Sequence, residues 1–463
     1  MLWIGLHLPA LPLETFAASL PAEARTEPLA LLDDLRVVQA SAAAQHLGIR
    51  SGMRRATALA LAPQLRIGQA DAQRDAQALA AIAYAALAFT PAVTLAPPDR
   101  SLVLMEVQAS LRCFGGRDRL LQRLRAALAP LGHRVCIASA PTAQAADWLA
   151  RSIGLHDDAT TAAPEPLHCA DRAALRRRLA DLPVHLLGPG RQHWDALQGM
   201  GLCSVGDLLH LPRAGLARRF GAALLDEIDR ALGTAPDPRC RVELPAVFDS
   251  RLELWERADT SAQLVHGAGV LLQRLVAWAQ AQQARVRRCT LSLRHESRQR
   301  GAAQAPTRLE IALAEPSCDA AHLLLLLREH LARLQLAAPA FELHLQCSDI
   351  VHAAPPNGQL FAAPVGESEG LLRLIERLQA RLGAQQVQRL ARVEDHRPER
   401  AGAALPVAAG GAAARRAPPR GTPRTSRPAW LLPEPQPLAE RRDLPLLDGA
   451  PLQLLCGPER IET

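Results

Sequence analysis

Gln45-His46-Leu47-Gly48-Ile49-Arg50-Ser51-Gly52-Met53 joins two helical segments and carries the most legible local geometry in the chain. Residues 42–47 read as a short helix. Gly48 is a natural stop, because glycine adopts a left-handed backbone at no steric cost. Gly52-Met53 opens a second helix that runs through Leu61 and is halted by Pro63, which has no N–H to offer a continuing helix. Ahead of the stretch, Val37-Val38-Gln39-Ala40 reads as a short strand.

The pattern continues outward on both sides. Trp3-Ile4-Gly5-Leu6-His7-Leu8-Pro9 predicts a buried strand over residues 2–8, and a helix starts over 13–19. A long Ala-rich helix is predicted over 73–87, paired strands over 91–95 and 101–107, a helix over 117–131, a strand over 134–139 and a helix over 141–151. Alternating strands and helices define an α/β or α+β first part. Residues 165–235 read as mostly helical with glycine turns. Residues 240–350 read as strand, helix (263–283), strand (289–295), strand (308–314), helix (319–334) and strand (341–347). That order describes a two-layer unit with helices on one face of a sheet. Residues 353–358 form a linker, 367–382 an amphipathic helix, and 401–428 an Ala-, Gly-, Pro- and Arg-rich segment expected to be disordered.

At 463 residues the chain exceeds what one core supports, which predicts two to four domains. Every one of the 53 basic residues is Arg, so phosphate contacts fall to guanidinium or backbone N–H and Schiff-base chemistry is excluded. Net charge is +7 and the isoelectric point near 9.3, a weak pointer to a polyanionic partner. Nine cysteines are scattered without a CxxC pair, which argues against zinc and suits a reduced compartment. No apolar run reaches the roughly 18 residues of a membrane span. The N-terminus lacks a charged signal-peptide region. A cytoplasmic, nucleoid-associated protein with no membrane partner and no cofactor is the expectation.

The strand, helix, Gly48, Gly52-Met53, helix and Pro63 succession resembles the fingers of Y-family translesion DNA polymerases. Residues 84–93 resemble that family's helix-to-strand join, and residues 134–151 its last palm strand and helix. The resemblance covers roughly residues 1–350. It implies an α+β multidomain fold: palm and fingers over 1–165, a helix-hairpin-helix thumb over 166–237, a two-layer α/β little finger over 238–352 and a flexible C-terminal extension over 353–463. The family holds Mg²⁺ on two or three carboxylates. This chain has His7 and Pro9 where the first strand carries acids, Pro12 near the place of the sugar-selecting aromatic, and Ala42 and Gln45 where Tyr and Arg face the triphosphate. The second acidic motif aligns with Glu106-Val107, where only Glu106 is acidic. Such concerted loss is similar to the ImuB-like subgroup of inactive relatives. So are the strings Leu6-His7-Leu8-Pro9, Ser110-Leu111-Arg112-Cys113-Phe114-Gly115-Gly116, Ala140-Pro141-Thr142, residues 393–400 and residues 427–432.

Two segments read as DNA contacts. Leu186-Leu187-Gly188-Pro189-Gly190-Arg191 and Met200-Gly201-Leu202-Cys203-Ser204-Val205-Gly206 have the form of helix-hairpin-helix units. In such units glycines expose N–H groups at helix N-termini to phosphate. Arg191, Arg213, Arg218 and Arg219 add charge; an ordinary helical hairpin is the alternative. Arg285, Arg287, Arg288 and Arg294 occupy or flank one strand of the little finger. That subdomain in the family lies across the major groove, although a solvated charge run reads the same way. Gln359-Leu360-Phe361 resembles a shortened peptide for the bacterial β sliding clamp, with an incidental apolar linker as the alternative. Glu394-Asp395-His396 reads as a turn or docking epitope rather than a catalytic cluster.

The resemblance implies a non-catalytic, DNA-binding adaptor (a pseudo-polymerase rather than an enzyme) of the SOS-type damage response. It would bridge damaged primer-template DNA, the sliding clamp, an error-prone DnaE-type polymerase subunit and an ImuA-like RecA relative. The alternative is an active translesion polymerase using Glu106 with an acid such as Asp33 or Asp34.

Overall fold

The first strand, β1 (Trp3–His7), is apolar almost throughout because both of its faces are covered. In the computed structural model, which describes residues 1–21, 23–97, 100–156, 166–169, 171–296, 305–336, 338–352, 365–393, 402–407, 437–442 and 444–452, β1 is the middle of a five-stranded sheet. Helix α1 (Leu11–Ala18) follows. A second, three-stranded sheet then forms. In it β2 (Leu29–Asp33) pairs antiparallel with β3 (Arg36–Ala40) and, after α2 (Ala42–His46) and α3 (Arg55–Leu61), parallel with β4 (Arg66–Gln69). Gly48 and Gly52 lie at φ +88 and +86, so both turns need glycine. The second helix starts at Arg55, two residues after the expected Met53. Strands β2 and β4 were not anticipated.

Helix α4 (Ala72–Leu87) is capped by Asp71, whose carboxylate accepts from the N–H groups of Gln73 and Arg74. Then come β5 (Val93–Leu95), β6 (Leu102–Glu106), α5 (Leu111–Phe114), α6 (Arg117–Leu128), β7 (Cys136–Ala140), α7 (Ala143–His156) and β8 (Leu167–His168). The strand order is β5-β6-β1-β7-β8. Period-2 alternation splits β1: Ile4 and Leu6 join the core made with α4 and α6, while Gly5 and His7 face α7. A Cβ on Gly5 would stand 2.5 Å from the Ala146 carbonyl oxygen, so α7 lies directly on the strand.

Six helices continue: α8 (Arg172–Ala180), α9 (Gly188–Gln192), α10 (Trp194–Gly199), α11 (Val205–Leu209), α12 (Arg213–Phe220) and α13 (Ala222–Leu232). Their apolar faces share one core with α7 through Trp148, Leu149, Leu187, Leu224 and Ile228. Next, β9 (Phe248–Ala258), α14 (Ser261–Ala281), β10 (Ala284–His295), β11 (Thr307–Ser317), α15 (Ala320–Arg333) and β12 (Ala340–His352) form the expected two-layer unit, with strand order β11-β10-β12-β9. Helix α14 also packs on α4, and Ala277 enters the core of the first sheet.

The chain divides into two compact units, Met1–Glu367 and Ser368–Thr463. The second holds most of α16 (Val365–Leu382), a β13 (Gln388–Arg392) and β14 (Gly402–Pro406) pair, and β15 (Ala439–Arg441), β16 (Leu444–Leu447) and β17 (Ala450–Pro451). Strand β14 corrects the expectation of disorder for its part of 401–428. It pairs along its whole length with β13, and composition alone does not reveal a partner strand. Gln359-Leu360-Phe361, Glu394-Asp395-His396 and residues 427–432 lie outside the described residues. Among the described residues no helix is long and apolar enough to cross a membrane.

Candidate nucleic-acid interface

The C-terminal end of β1 is where the resemblance expects metal-binding acids. His7 stands opposite Leu102, and its Nδ1 pairs with the Arg100 carbonyl oxygen at 3.1 Å. Its ring and the Pro9 ring both lie against Gly154 of α7. Burial, helped by the Arg151 guanidinium, lowers the His7 pKa to about 4, so the imidazole is neutral near pH 7. Glu106 sits opposite Trp3, four rungs from His7 and thus about 13 Å away along the strand. Its Oε1 accepts from the Gln108 N–H at 3.0 Å. Val107 is buried in the α4–α6 core. The strand register puts Leu102, not Glu106-Val107, beside His7. Asp33 and Asp34 lie at the β2–β3 turn of the other sheet.

A buried network of guanidiniums and carboxylates surrounds that end of β1. Asp147 Oδ2 accepts from Arg100 Nη1 at 2.6 Å and Asp147 Oδ1 from Arg151 Nε at 2.7 Å. Glu227 Oε1 accepts from Gln144 Nε2 (3.0 Å), Trp148 Nε1 (3.3 Å) and Arg100 Nη2 (3.3 Å). Glu227 Oε2 accepts from the Gly188 N–H at 3.0 Å, and Arg151 Nη2 donates to the Leu186 carbonyl. Both Asp147 oxygens are thus committed to cations. A pair of hard divalent ions needs several free oxygen ligands. The residues here do not fit one, and among the described residues no three His, Cys, Asp or Glu side chains converge as a metal cage would require.

His7 has a pH consequence. The unfolded chain binds a proton at the ordinary histidine value of 6.5 and the folded chain only near 4. Stability from this group is therefore intact above 6.5 and is lost as pH falls toward 4, by roughly 3 kcal/mol if the shift is fully expressed. Denaturation midpoints should fall over that window, and His7→Gln should flatten the fall; an unchanged slope in that variant would refute the assignment.

The expected phosphate-binding turns are occupied from within. The Gly188 N–H is taken by Glu227, and a Cβ on Gly190 would stand 2.2 Å from the Val184 carbonyl oxygen. At α11, Ser204 and Asp207 form a capping box. Asp207 Oδ2 accepts from the N–H groups of Ser204 (2.8 Å) and Cys203 (3.0 Å). Ser204 hydrogen bonds, followed by the Cys203 one, hold the Asp207 carboxyl below its usual range. Gly206 packs on Ala180 of α8, and Gly201, at φ +75, turns in the open. Close packing explains Gly190 and Gly206, and a carboxylate stands at each of the two turns, Glu227 at the first and Asp207 at the second. Arg191, Arg218 and Arg219 are exposed, and Arg213 pairs with Asp229 at 2.5 Å. Sequence reasoning passed over Arg176-Arg177-Arg178, all exposed on α8 between buried Leu175 and Leu179. The run of three arginines was the available signal.

On β10 the apolar positions Val286, Cys289, Leu291 and Leu293 are buried, while Arg285, Arg287, Arg288 and Arg294 are exposed. A bulge between Val286 and Arg288 brings two arginines side by side. Acids on neighbouring strands meet them: Arg288 pairs with Glu310 (2.9 Å) and Asp349 (3.8 Å), Arg287 with Asp349 (3.6 Å) and Arg294 with Glu342 (3.2 Å). These half-exposed pairs are worth little each, so phosphate can replace the carboxylates at small cost.

Residues 13–151, which take in most of α1, the three-stranded sheet, β5 to β7 and most of α7, match the impB/mucB/samB family. Over 361 residues the chain is 31% identical to Protein ImuB in each of two strains of Caulobacter vibrioides, spanning 76% of this chain and 73% of the relative. The chain belongs to the ImuB family of Y-family (UmuC-like) proteins. Similar solved structures include an insertion ternary complex of Dbh DNA polymerase (15% identity, TM-score 0.43) and a Y-family DNA polymerase chimera containing Dbh (16% identity, TM-score 0.40). Each comparison covers 76% of this chain and 100% of the other.

Proposed function

We propose that this protein binds DNA without copying it and serves as an adaptor in damage-induced translesion synthesis. The observation that carries the reading is the end of β1: a neutral His7 facing Leu102, with both oxygens of the adjacent Asp147 held by Arg100 and Arg151. Nucleotide addition needs carboxylates free to bridge two ions, so in this reading catalysis belongs to a partner polymerase of the DnaE type. The division into palm and fingers (1–165), thumb (166–237), little finger (238–352) and C-terminal extension (353–463) is part of the proposal. So are the DNA contacts assigned to Arg191, Arg218, Arg285, Arg287 and Arg288, and the ImuA-like, RecA-related partner.

Primer extension with Mg²⁺ or Mn²⁺ should yield no incorporation. Robust incorporation that disappears in Glu106→Ala would establish the active-polymerase alternative instead. The clamp contact is assigned to Gln359-Leu360-Phe361 because Gln and an apolar pair suit a hydrophobic groove. Gln359→Ala with Phe361→Ala should abolish capture of the chain on immobilised β clamp, while DNA binding persists. Clamp binding that survives the double substitution would remove this peptide from the proposal.

A further inference from the structure

Away from both arginine faces, a cavity of about 640 Å³ opens between α1, the turn after α6, and helices α14 and α15. Three guanidiniums line it, those of Arg25, Arg274 and Arg328, together with His266 and the Glu14–His133 pair. Arg274 is 3% exposed, and its one hydrogen bond among the described residues runs to Ser250 Oγ at 3.3 Å. Arg25 Nη2 reaches the carbonyl oxygens of Ala18 and Leu20 at 3.5 and 3.4 Å, and its Nε is buried without a partner. The Nε2 of His266 is buried and unpartnered as well. Among the described residues neither Arg25 nor Arg274 forms an ion pair. Among the described residues the one acid on the wall is already engaged: Glu14 Oε2 meets His133 Nδ1 at 3.1 Å, and its carboxylate takes the Arg134 N–H.

Burying guanidinium without an anion is costly, and an aliphatic residue would pack at position 274 of α14 without that cost. Burial alone pushes the Arg25 guanidinium down and that of Arg274 to about 10, the signature of cations lacking a counter-charge. Donors left open on two elements that line one space suit an anion with several oxygens around one centre. Guanidinium forks match phosphate in that way. The rest of the wall is mostly apolar, with Leu131, Val265 and Leu324 beside the amide of Gln273, and the volume lies within the range of roughly 300–1,000 Å³ usual for small-ligand sites. We propose that this cavity binds a phosphate-bearing small molecule of nucleotide size, with its phosphates on Arg25 and Arg274 and its organic part against Leu131, Val265 and Leu324.

The test uses the full chain, with ATP and inorganic pyrophosphate as probes in equilibrium dialysis. Saturable binding of one ATP per chain with a Kd below about 1 mM is expected. Arg274→Met and Arg25→Gln should each weaken it at least about tenfold, with melting temperature and DNA mobility shift unchanged. Arg25→Gln stands alone if Arg274→Met fails to fold. Tighter binding of ATP than of pyrophosphate supports recognition of the organic part, and equal binding supports a site that reads phosphates only. Absence of saturable binding by both probes, or binding unaltered in the variants, overturns the proposal. Because ATP binding is measured without DNA, its outcome is independent of the DNA-binding reading.

Discussion

Replacing Asp147 by Ala should lower the free energy of unfolding by about 3–5 kcal/mol. The Asp147 side chain is fully buried and accepts from Arg100 and from Arg151, itself 5% exposed. Its loss leaves two guanidiniums in a low-dielectric setting with one carboxylate fewer to balance them. The same cut at the exposed pair Arg257–Glu296 should cost only about 0–1 kcal/mol, although its distance is also 2.6 Å. Urea midpoints of Asp147→Ala and Glu296→Ala measure the contrast, and equal small shifts would show the buried network to be inert. Replacing Asp147 and Arg151 together by Leu should recover part of the loss, because no lone charge then remains inside.

Substituting Arg285, Arg287 and Arg288 together by Gln should weaken primer-template binding by roughly two to three orders of magnitude at about 0.1 M salt, if each engages one phosphate. The plot of log K against log salt should become shallower by roughly 2.7. Asp349→Asn should act the other way, since Asp349 competes with phosphate for Arg287 and Arg288 at 3.6 and 3.8 Å. Mobility shifts at several salt concentrations read both effects. A triple variant that binds like the parent would shift the interface to the arginines of α8 and α12.

Most of the fold was legible where local chemistry decides it. Gly48 could be read as a helix stop because its φ of +88 needs glycine, and α14, β10, β11, α15 and β12 announced themselves by period. The start of β10 was not legible: Arg285, Arg287 and Arg288 give it a charged beginning that reads as loop. Strand β2 turns into β3 across Asp34-Leu35, which lacks the Asn-Gly or Asp-Gly signature of a hairpin, and its parallel partner β4 comes after two helices, so neither strand is signalled locally. The candidate site was less legible still. A glycine pattern shows where backbone N–H groups could be offered. It does not show that Glu227, 39 residues beyond Gly188, already accepts one. Sequence alone does not fix which end of β6 faces His7, so the distance between Glu106 and His7 could not be read from it. Arg100 finds its carboxylates 47 and 127 residues away, beyond any local motif.

The placement of β1 between β6 and β7 also bears on how the protein is made. After β1 leaves the ribosome, its first neighbour is complete only when residue 106 has emerged, and its second only at residue 140. At elongation speeds of about 5–20 residues per second, that sequence waits roughly 5–20 seconds for its first neighbour and roughly 7–27 seconds for its second. Its ends, Trp3 and His7, are the only residues in it that are not fully buried once paired. Strand β1 is therefore a stretch for which a co-translational chaperone has a long opportunity.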